Sequence, residues 1–214
     1  MINTIILDRG HATLDANGKY VTKGKQATLP DGRKVYEGKE NEKYVIAMAS
    51  YAATKGLNVE YTVKPTDPSD PALFARVLKA NNSRYRNSAV FVSVHNNAAN
   101  GTATGTEVFT SIGQTLSDKF ANAVIKKYQE VLPDRRYRLD YSDKDADKES
   151  NFYVLAKTTM PAMLLEIGFF DTPSDYDWLS NEDNITKIAH ATIDGIVETI
   201  KDLYGEEAWA NRHI

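Results

Sequence analysis

The sequence predicts an α/β protein whose mostly parallel, twisted sheet is covered by helices on both faces. Short runs rich in apolar and β-branched residues alternate with longer segments in which apolar residues repeat at helical spacing. No linker rich in Pro, Gly or Ser divides the 214 residues. We therefore expect a single compact domain with one sizeable core.

The predicted strands are short runs dominated by apolar and β-branched residues. In chain order they cover residues 2–7, 57–62, 89–94, 106–110 and 163–167. Parallel strands are buried on both faces, so they need not alternate strictly between apolar and polar residues.

The predicted helices carry apolar residues three or four positions apart, as amphipathic helices do. They cover residues 42–55, 71–81, 116–131 and 185–203. Thr172 and Pro173 predict one further short helix, because an N-cap residue is followed by proline at the first helical position. Strands separated by helices favour parallel pairing through helical crossovers.

A polar segment, residues 12–36, interrupts this alternation after the first strand. It contains the turn dipeptides Asn17-Gly18 and Asp31-Gly32, which predict a hairpin or a long excursion. A long loop at the carboxyl end of a strand is a natural wall for a site.

A second polar segment, residues 140–150, contains alternating aspartates that suggest a calcium loop. Counted from Asp143, the sixth position is Lys148 where a calcium loop has glycine, and the twelfth is Val154 where it has glutamate. We therefore expect a solvated, mobile loop.

Composition excludes several classes of partner and site. The formal net charge is −3 and Lys and Arg form no cluster, so nucleic acid and anionic membranes are not expected as partners. There is no cysteine, which leaves His, Asp and Glu as the strong metal ligands. The N-terminus has no basic leader, and its apolar run is too short for a signal peptide or a membrane span.

Two histidines and a carboxylate stand where predicted strands end, at His11, His95 and Glu166. The carboxyl ends of parallel strands form one rim, so these side chains should converge on one cleft. A catalytic zinc takes three protein ligands of this kind and leaves one position for water. The pattern indicates a metal-dependent hydrolase.

Glu166 is the strongest catalytic candidate. It lies between Leu165 and Ile167, where an unpaired buried carboxylate is costly, so it should face a polar cleft, a metal or a cation. Burial should raise its pKa and suit it to proton transfer near neutral pH. The alternative is a structural ion pair with an arginine.

Motifs along nearly the whole chain identify a family by their order and spacing. They are Asp8-Arg9-Gly10-His11, Glu37, Arg76 with Ala80-Asn81, FVSVHNN at 91–97, Gly105-Thr106-Glu107, and PAMLLEIGF at 161–169. In this order they resemble the zinc-dependent N-acetylmuramoyl-L-alanine amidases of the Amidase_3 type. That family includes bacterial cell-wall hydrolases and phage endolysins.

The resemblance implies hydrolysis of the amide between the lactyl group of N-acetylmuramic acid and L-alanine in peptidoglycan. It implies one zinc ion held by His11, Glu37 and His95, and Glu166 as general base and then acid. The alternatives are a zinc peptidase that cuts the stem peptide, a peptidoglycan-binding module without activity, and a glycosidase that pairs Glu166 with Glu107.

The carboxylate ligand has to be chosen among Glu37, Glu40 and Glu42, which all lie near one predicted helix start. In the resembling family the ligand glutamate is followed by three residues and then asparagine, and Glu37 with Asn41 fits that register. Glu40 is the second choice. For Glu40 and Glu42 we favour the simpler interpretation that acidic residues are stabilised by the helix dipole.

Several polar residues beside these motifs have two interpretations each. Asp8 either orients His11 or forms a turn, and Arg76 either pairs with a buried carboxylate, which we favour, or touches substrate. Asn96 and Asn97 either bind substrate or shape the turn after His95.

The remaining expectations concern the ends of the chain and its location. His190 and His213 are not placed to join the site. We expect a catalytic domain over residues 1–205, a short tail over 206–214 and no separate wall-binding domain. Without a leader, the protein should be made in the cytoplasm and act on the cell wall, the host wall if it is phage-encoded.

Overall fold

The computed structural model describes residues 1–211, so His213 lies outside the described residues. The strands are β1 (Thr4–Arg9), β2 (Gln26–Thr28), β3 (Lys34–Tyr36), β4 (Asn58–Tyr61), β5 (Ala89–Asn97), β6 (Glu107–Thr110), β7 (Lys148–Glu149) and β8 (Ala162–Phe169). The helices are α1 (Glu37–Thr54), α2 (Leu73–Asn81), α3 (Leu116–Val131), α4 (Tyr153–Ala156), α5 (Pro173–Leu179), α6 (Glu182–Tyr204) and α7 (Glu206–Ala210).

The six-stranded main sheet has the order β4-β1-β5-β8-β6-β7 and confirms the predicted, mostly parallel arrangement. Strands β4, β1, β5 and β8 pair in parallel, whereas β6 is antiparallel to β8. The carboxyl ends of β1, β5 and β8 therefore lie side by side at one end of the strands, called the carboxyl rim below. No helix within residues 1–211 is long and apolar enough to cross a bilayer.

Helices cover both faces of the sheet, as predicted. On one face α1, α3 and α6 bury a large core that includes Tyr44, Phe120 and Ile193. On the other face α2 and α4 pack over a smaller cluster that includes Phe91 and Leu164. The smaller cover leaves the carboxyl rim of this second face free for polar side chains.

The predicted helices are correct in place, but α1 and α6 begin earlier than their apolar periodicity indicates. The structure starts α1 at Glu37 and α6 at Glu182. Both first turns are polar, and Asn181 caps α6 by accepting hydrogen bonds from the next backbone amides. Polar first turns carry no apolar repeat, so the pattern misses them.

The segment 12–36 forms a hairpin only in its second half. Strands β2 and β3 pair in antiparallel register around the turn at Asp31-Gly32, whereas Tyr20 and Thr22 lie outside any strand. The Thr22 hydroxyl instead accepts a hydrogen bond from the Ala12 amide. The excursion is thereby fastened to the chain just beyond β1, where a wall was predicted.

The segment 140–150 is less solvated than predicted. Asp147 is only 1% exposed, and its carboxylate accepts hydrogen bonds from Thr110 and Asn122. Near the C-terminus, α7 packs against α6 and Trp209 joins the main core. The segment 140–150 is therefore held by residues distant in sequence, and the C-terminal segment by its packing on α6 and the main core.

Candidate metal centre

The backbone after β1 turns sharply to bring His11 to the carboxyl rim. His11 has φ 62°, in the left-handed region that side chains other than glycine rarely adopt. At Gly10, an added Cβ would lie 2.3 Å from Cε1 of His95. Glycine is therefore required for the His95 ring to pack against this turn, and the strained residue stands at the site.

His95 and Glu166 project from neighbouring parallel strands onto the same face of the sheet. They are cross-strand partners in the register of β5 and β8, and His95 is followed by a register shift before Asn97. The sheet thus places the second histidine and the candidate catalytic carboxylate side by side, as the strand-end pattern predicts.

Glu37 enters the site from the first turn of α1. Gly38 allows this approach, because a Cβ there would lie 1.7 Å from the Ala12 carbonyl oxygen. Glu37 is 1% exposed, and its Oε1 lies 3.0 Å from His95 Nδ1 and 3.3 Å from His11 Nε2. One carboxylate oxygen therefore faces both imidazoles.

The three side chains fit a zinc ion. Each of His11, Glu37 and His95 offers a ligand atom, and these atoms lie within 4.8 Å of one another. His11 Nε2 and Glu37 Oε2 are buried and have no hydrogen-bond partner within residues 1–211. Two imidazole nitrogens and a carboxylate oxygen are a donor set that zinc prefers.

Electrostatics keep the carboxylate of this group ionised. Burial opposes ionisation of Glu37, yet its contacts with His11 and His95 outweigh burial and hold its pKa well below its ordinary value. Burial lowers the pKa of His95, but the Glu37 carboxylate more than offsets this and raises it. Because a metal ion binds the neutral imidazole, cation binding at this site competes with protonation of His95.

Glu166 has the surroundings predicted for a proton-transfer group. Its Oε2 is buried, and no described residue hydrogen-bonds to that atom. Burial raises the pKa of Glu166 to about 8, with the His95 charge opposing and the Glu37 charge adding to the shift. The alternative of an arginine ion pair is wrong for the described part of the chain, since no cation lies within 4 Å of this carboxylate.

Asp8 does not orient His11, contrary to one of its two interpretations. It is the fifth residue of β1, and its buried carboxylate accepts hydrogen bonds from Thr62, Ser93 and Arg76. Arg76 thus pairs with a buried carboxylate, as favoured from the sequence. Because every partner lies beneath the rim, Asp8 supports the floor of the site.

The carboxylate beside His11 is Asp70, which the sequence analysis missed. Its Oδ2 lies 3.9 Å from His11 Nδ1 and accepts a hydrogen bond of 2.6 Å from Thr22. Its Oδ1 accepts a 2.9 Å hydrogen bond from Arg76. Asp70 belongs to an irregular loop, so no strand or helix pattern points to it.

The other two glutamates of α1 have partners of their own. Glu40 pairs with Lys43 and accepts from Tyr176. Glu42 accepts from Thr13 and pairs with Lys39. Among the three candidates, only Glu37 faces the histidines.

Two further predicted residues have structural contacts. Asn96 is buried and donates to Asn41, which donates to the Gly10 carbonyl, so it shapes the site. Asn97 donates to Glu107. His190 stacks on Tyr51 between α1 and α6, away from the rim as predicted.

The excursion also contributes a cation that sequence reasoning missed. Lys25 Nζ lies 3.6 Å from Glu37 Oε2, and the side chain is 45% exposed. An isolated lysine in a polar segment carries no signal that it meets a distant glutamate. The contact shows that residues 12–36 form a wall of the site, as predicted.

The fold and the site together define an α/β domain with a His-Glu-His centre at the carboxyl rim of its sheet. Residues 5–198 match the family described as Amidase_3, N-acetylmuramoyl-L-alanine amidase. The chain belongs to this family, as the resemblance indicates.

Known relatives agree in fold and in sequence. The crystal structure of N-acetylmuramoyl-L-alanine amidase from Clostridium difficile 630 is 27% identical, with a TM-score of 0.76, and the match covers 94% of this chain and 97% of that one. N-acetylmuramoyl-L-alanine amidase CwlM of Bacillus licheniformis is 26% identical over 90% of this chain and 66% of its own length. The endolysin of Bacillus phage SPP1 is 32% identical over 66% of this chain and 51% of its own length.

The curated relatives are longer than the part they share with this chain. The chain spans between 35% and 66% of the first relatives that it matches. The activity of those whole proteins therefore reaches this chain only as a proposal.

Proposed function

We propose that this protein hydrolyses the amide bond between the lactyl group of N-acetylmuramic acid and L-alanine in peptidoglycan. The observation that carries the proposal is the convergence of His11, Glu37 and His95 beside Glu166 at one rim of an amidase-family fold. A peptidoglycan-binding module would not need a buried carboxylate with a raised pKa beside a ligand set.

We propose zinc as the cofactor, with the two histidines and Glu37 as its ligands. When bound, zinc would polarise the scissile carbonyl and lower the pKa of water. Asn41 and Asn96 fix the backbone that carries these ligands, since they link α1 and β5 to the Gly10 carbonyl. Such supporting contacts hold ligands in register.

Glu166 moves the proton. In its ionised form it removes a proton from the attacking water, and in its protonated form it delivers that proton to the departing amine of L-alanine. Its unpartnered oxygen leaves it free to contact substrate and water. A carboxyl pKa raised by burial suits both halves of this transfer near neutral pH.

The two-carboxylate glycosidase is disfavoured by the contacts of Glu107. Its carboxylate accepts hydrogen bonds from Arg138, Lys148 and Asn97. These contacts occupy both carboxylate oxygens, so neither is free to reach a glycosidic oxygen or a water molecule. That reaction would also leave the paired histidines without a role.

Location and extent follow from the same proposal. We propose that the catalytic domain, expected over residues 1–205, continues through α7, because Trp209 belongs to the main core. We propose the cell wall as its place of action, for a phage or a bacterial enzyme alike. Peptidoglycan is its macromolecular partner.

Mass spectrometry of fragments released from purified peptidoglycan tests the proposal. Zinc-loaded protein should release stem peptides that begin with L-alanine and leave glycan strands intact, and a chelated sample should release none. Cleavage within the stem would assign a peptidase, and binding to walls without any released fragment would assign a binding module.

A further inference from the structure

A second polar centre lies beside Glu166, one strand further from the histidines. Glu107 of β6 is the cross-strand partner of Glu166, which is itself the partner of His95. Cross-strand partners project from the same face of a sheet, and strands are about 4.8 Å apart. Glu107 therefore lies about 10 Å across the rim from His95.

Arg138 contacts this centre through one of its guanidinium nitrogens and leaves the other two without a hydrogen-bond partner among the described residues. Its Nε donates to the buried Glu107 carboxylate, and its guanidinium lies 5.3 Å from the centre of the Phe169 ring. Its stem packs against Gly105, where a Cβ would approach Arg138 Cγ to 3.1 Å. Both Nη groups lack a hydrogen-bond partner among the described residues, and the side chain is 32% exposed.

Lys148 adds a second cation to the same carboxylate. Its Nζ donates to Glu107 Oε1 over 2.9 Å, and the side chain is 25% exposed. Asn97 occupies the other oxygen, Glu107 Oε2, over 3.2 Å. Two cations share one buried anion, so the centre carries one excess positive charge next to the reacting groups.

We propose that Arg138 and Lys148 bind a carboxylate of the stem peptide on the leaving-amine side, a role that rests on the proposed function. The chemically suitable group is the free α-carboxylate of the γ-linked D-glutamate that follows L-alanine. An extended chain spans about 3.5 Å per residue, so this group lies roughly 7 Å from the scissile amide. Glu107 lies one strand, about 4.8 Å, from Glu166 and two strands, about 10 Å, from His95, so a separation of about 7 Å lies between these two values.

A guanidinium fork recognises a carboxylate through two parallel hydrogen bonds. Conversion of that carboxylate to an amide removes the charge and replaces one of its two acceptor oxygens with an NH2 donor that the guanidinium cannot use. The site therefore distinguishes the free acid from its α-amide. We expect a preference of about 10- to 100-fold for the acid, expressed mainly in KM.

Paired substrates test this role. Zinc-loaded protein is assayed on N-acetylmuramoyl-L-alanyl-γ-D-glutamate and on the same compound with its α-carboxylate amidated. Wild-type protein should prefer the acid, and Arg138→Gln should bring the ratio of kcat/KM values close to one. Lys148→Gln should lower the ratio by a smaller factor.

Arg136→Gln is the matched control, since Arg136 is an exposed arginine of the same segment and should keep the wild-type ratio. Thermal unfolding of each variant checks that it is folded. A wild-type ratio near one, or a full preference in folded Arg138→Gln protein, would overturn the proposed role.

A binding experiment distinguishes failure of this inference from failure of the proposed function. The product peptide L-alanyl-γ-D-glutamate and its α-amide are titrated into wild-type and Arg138→Gln protein, and binding is followed by calorimetry. Acid-selective binding that Arg138→Gln abolishes supports the carboxylate site even if neither substrate is cleaved. Equal binding of acid and amide to wild-type protein rejects it even if cleavage occurs.

Discussion

Two groups of potential metal ligands lie at opposite ends of the strands of the same sheet, and only one has the properties of a metal centre. Each brings three side chains within 4.8 Å of one another. The histidine group comprises His11, Glu37 and His95, and the aspartate group comprises Asp118, Asp145 and Asp147. The first stands on the carboxyl rim, whereas the second surrounds Thr110 at the far end of antiparallel β6.

The aspartate group is largely satisfied by the protein itself. Thr110 donates to Asp118 and Asp147, and Asn122 donates to Asp147. Asp118 also completes the capping box that begins α3 at Thr115. Burial raises the pKa of Asp147 to about 7, with the neighbouring aspartates adding to the shift. These contacts fasten residues 140–150 to α3 and β6.

The difference shows that proximity of ligand-type residues does not by itself define a metal site. The histidine group offers two imidazoles and leaves His11 Nε2 and Glu37 Oε2 buried without a hydrogen bond. In the aspartate group, the hydroxyl and amide donors of neighbouring residues occupy most acceptors. Asp145 Oδ1 is also buried without a hydrogen bond, so the chemistry of the donor atoms, two imidazoles and one carboxylate against three carboxylates, separates the two groups.

The largest expected effect comes from removing one histidine. His95→Ala should lose its zinc and reduce hydrolysis by on the order of 10³-fold or more, because a metal ion supplies several kcal/mol of transition-state stabilisation. Atomic emission after dialysis measures zinc per chain. Asp147→Asn is the control and should keep one zinc. Retention of zinc by His95→Ala would show that the histidine group is not the zinc site.

Removal of the proton-transfer group should separate chemistry from metal binding. Glu166→Gln should keep zinc and lower kcat by about 10²- to 10⁴-fold, the usual range for general acid–base catalysis. Zinc content and kcat are measured on the same sample. Glu130→Gln, an exposed position of α3, serves as the control, and near-normal kcat in Glu166→Gln would reject the assigned role.

A smaller effect is expected from the carboxylate beside His11. Asp70→Asn should weaken zinc affinity by about 10-fold, the lower end for supporting carboxylates, because its contact with His11 Nδ1 is 3.9 Å. Competition with a fluorescent chelator measures the affinity. Asp67→Asn is the control, because Asp67 lies in the same loop and its carboxylate accepts a hydrogen bond from the Ser69 amide. An equal loss of zinc affinity in both variants would indicate damage to the loop instead.

The last expected effect belongs to the aspartate group and concerns the stability of the fold. The pKa of Asp147 is about 7 in the folded protein and 3.8 ordinarily. Between these values the folded state keeps a proton that the unfolded state has lost, so the stability from Asp147 is full below about pH 3.8 and declines toward pH 7. The difference of about 3 pKa units corresponds to a loss on the order of 4 kcal/mol.

Urea unfolding at several pH values compares wild-type protein with Asp147→Asn. The free energy of unfolding of the wild type should fall relative to the variant between pH 4 and 7 and level off above that range. Parallel pH profiles in the two proteins would show that Asp147 is not protonated in the folded state.

The fold and the chemical groups of the rim could be predicted because their signals are local. His95 and Glu166 directly follow apolar runs and lie two and three residues before the carboxyl ends of β5 and β8. His11 follows the first such run within a short motif. The topology of a parallel sheet then brings the three together without further information.

The contacts that sequence could not reveal join irregular segments to distant residues. Asp70 and Lys25 lie in loops without a repeat, and Arg138 follows the end of α3. The burial of Asp147 depends on Thr110 and Asn122, which are 37 and 25 residues away. Such pairings are fixed by the folded path of the chain.

Anomalous diffraction at the zinc absorption edge, from crystals grown with one equivalent of zinc, tests the central claim most directly. The account predicts a single strong peak bounded by the imidazole nitrogens of His11 and His95 and the carboxylate of Glu37. A peak within the aspartate group, with none between the histidines, would contradict it.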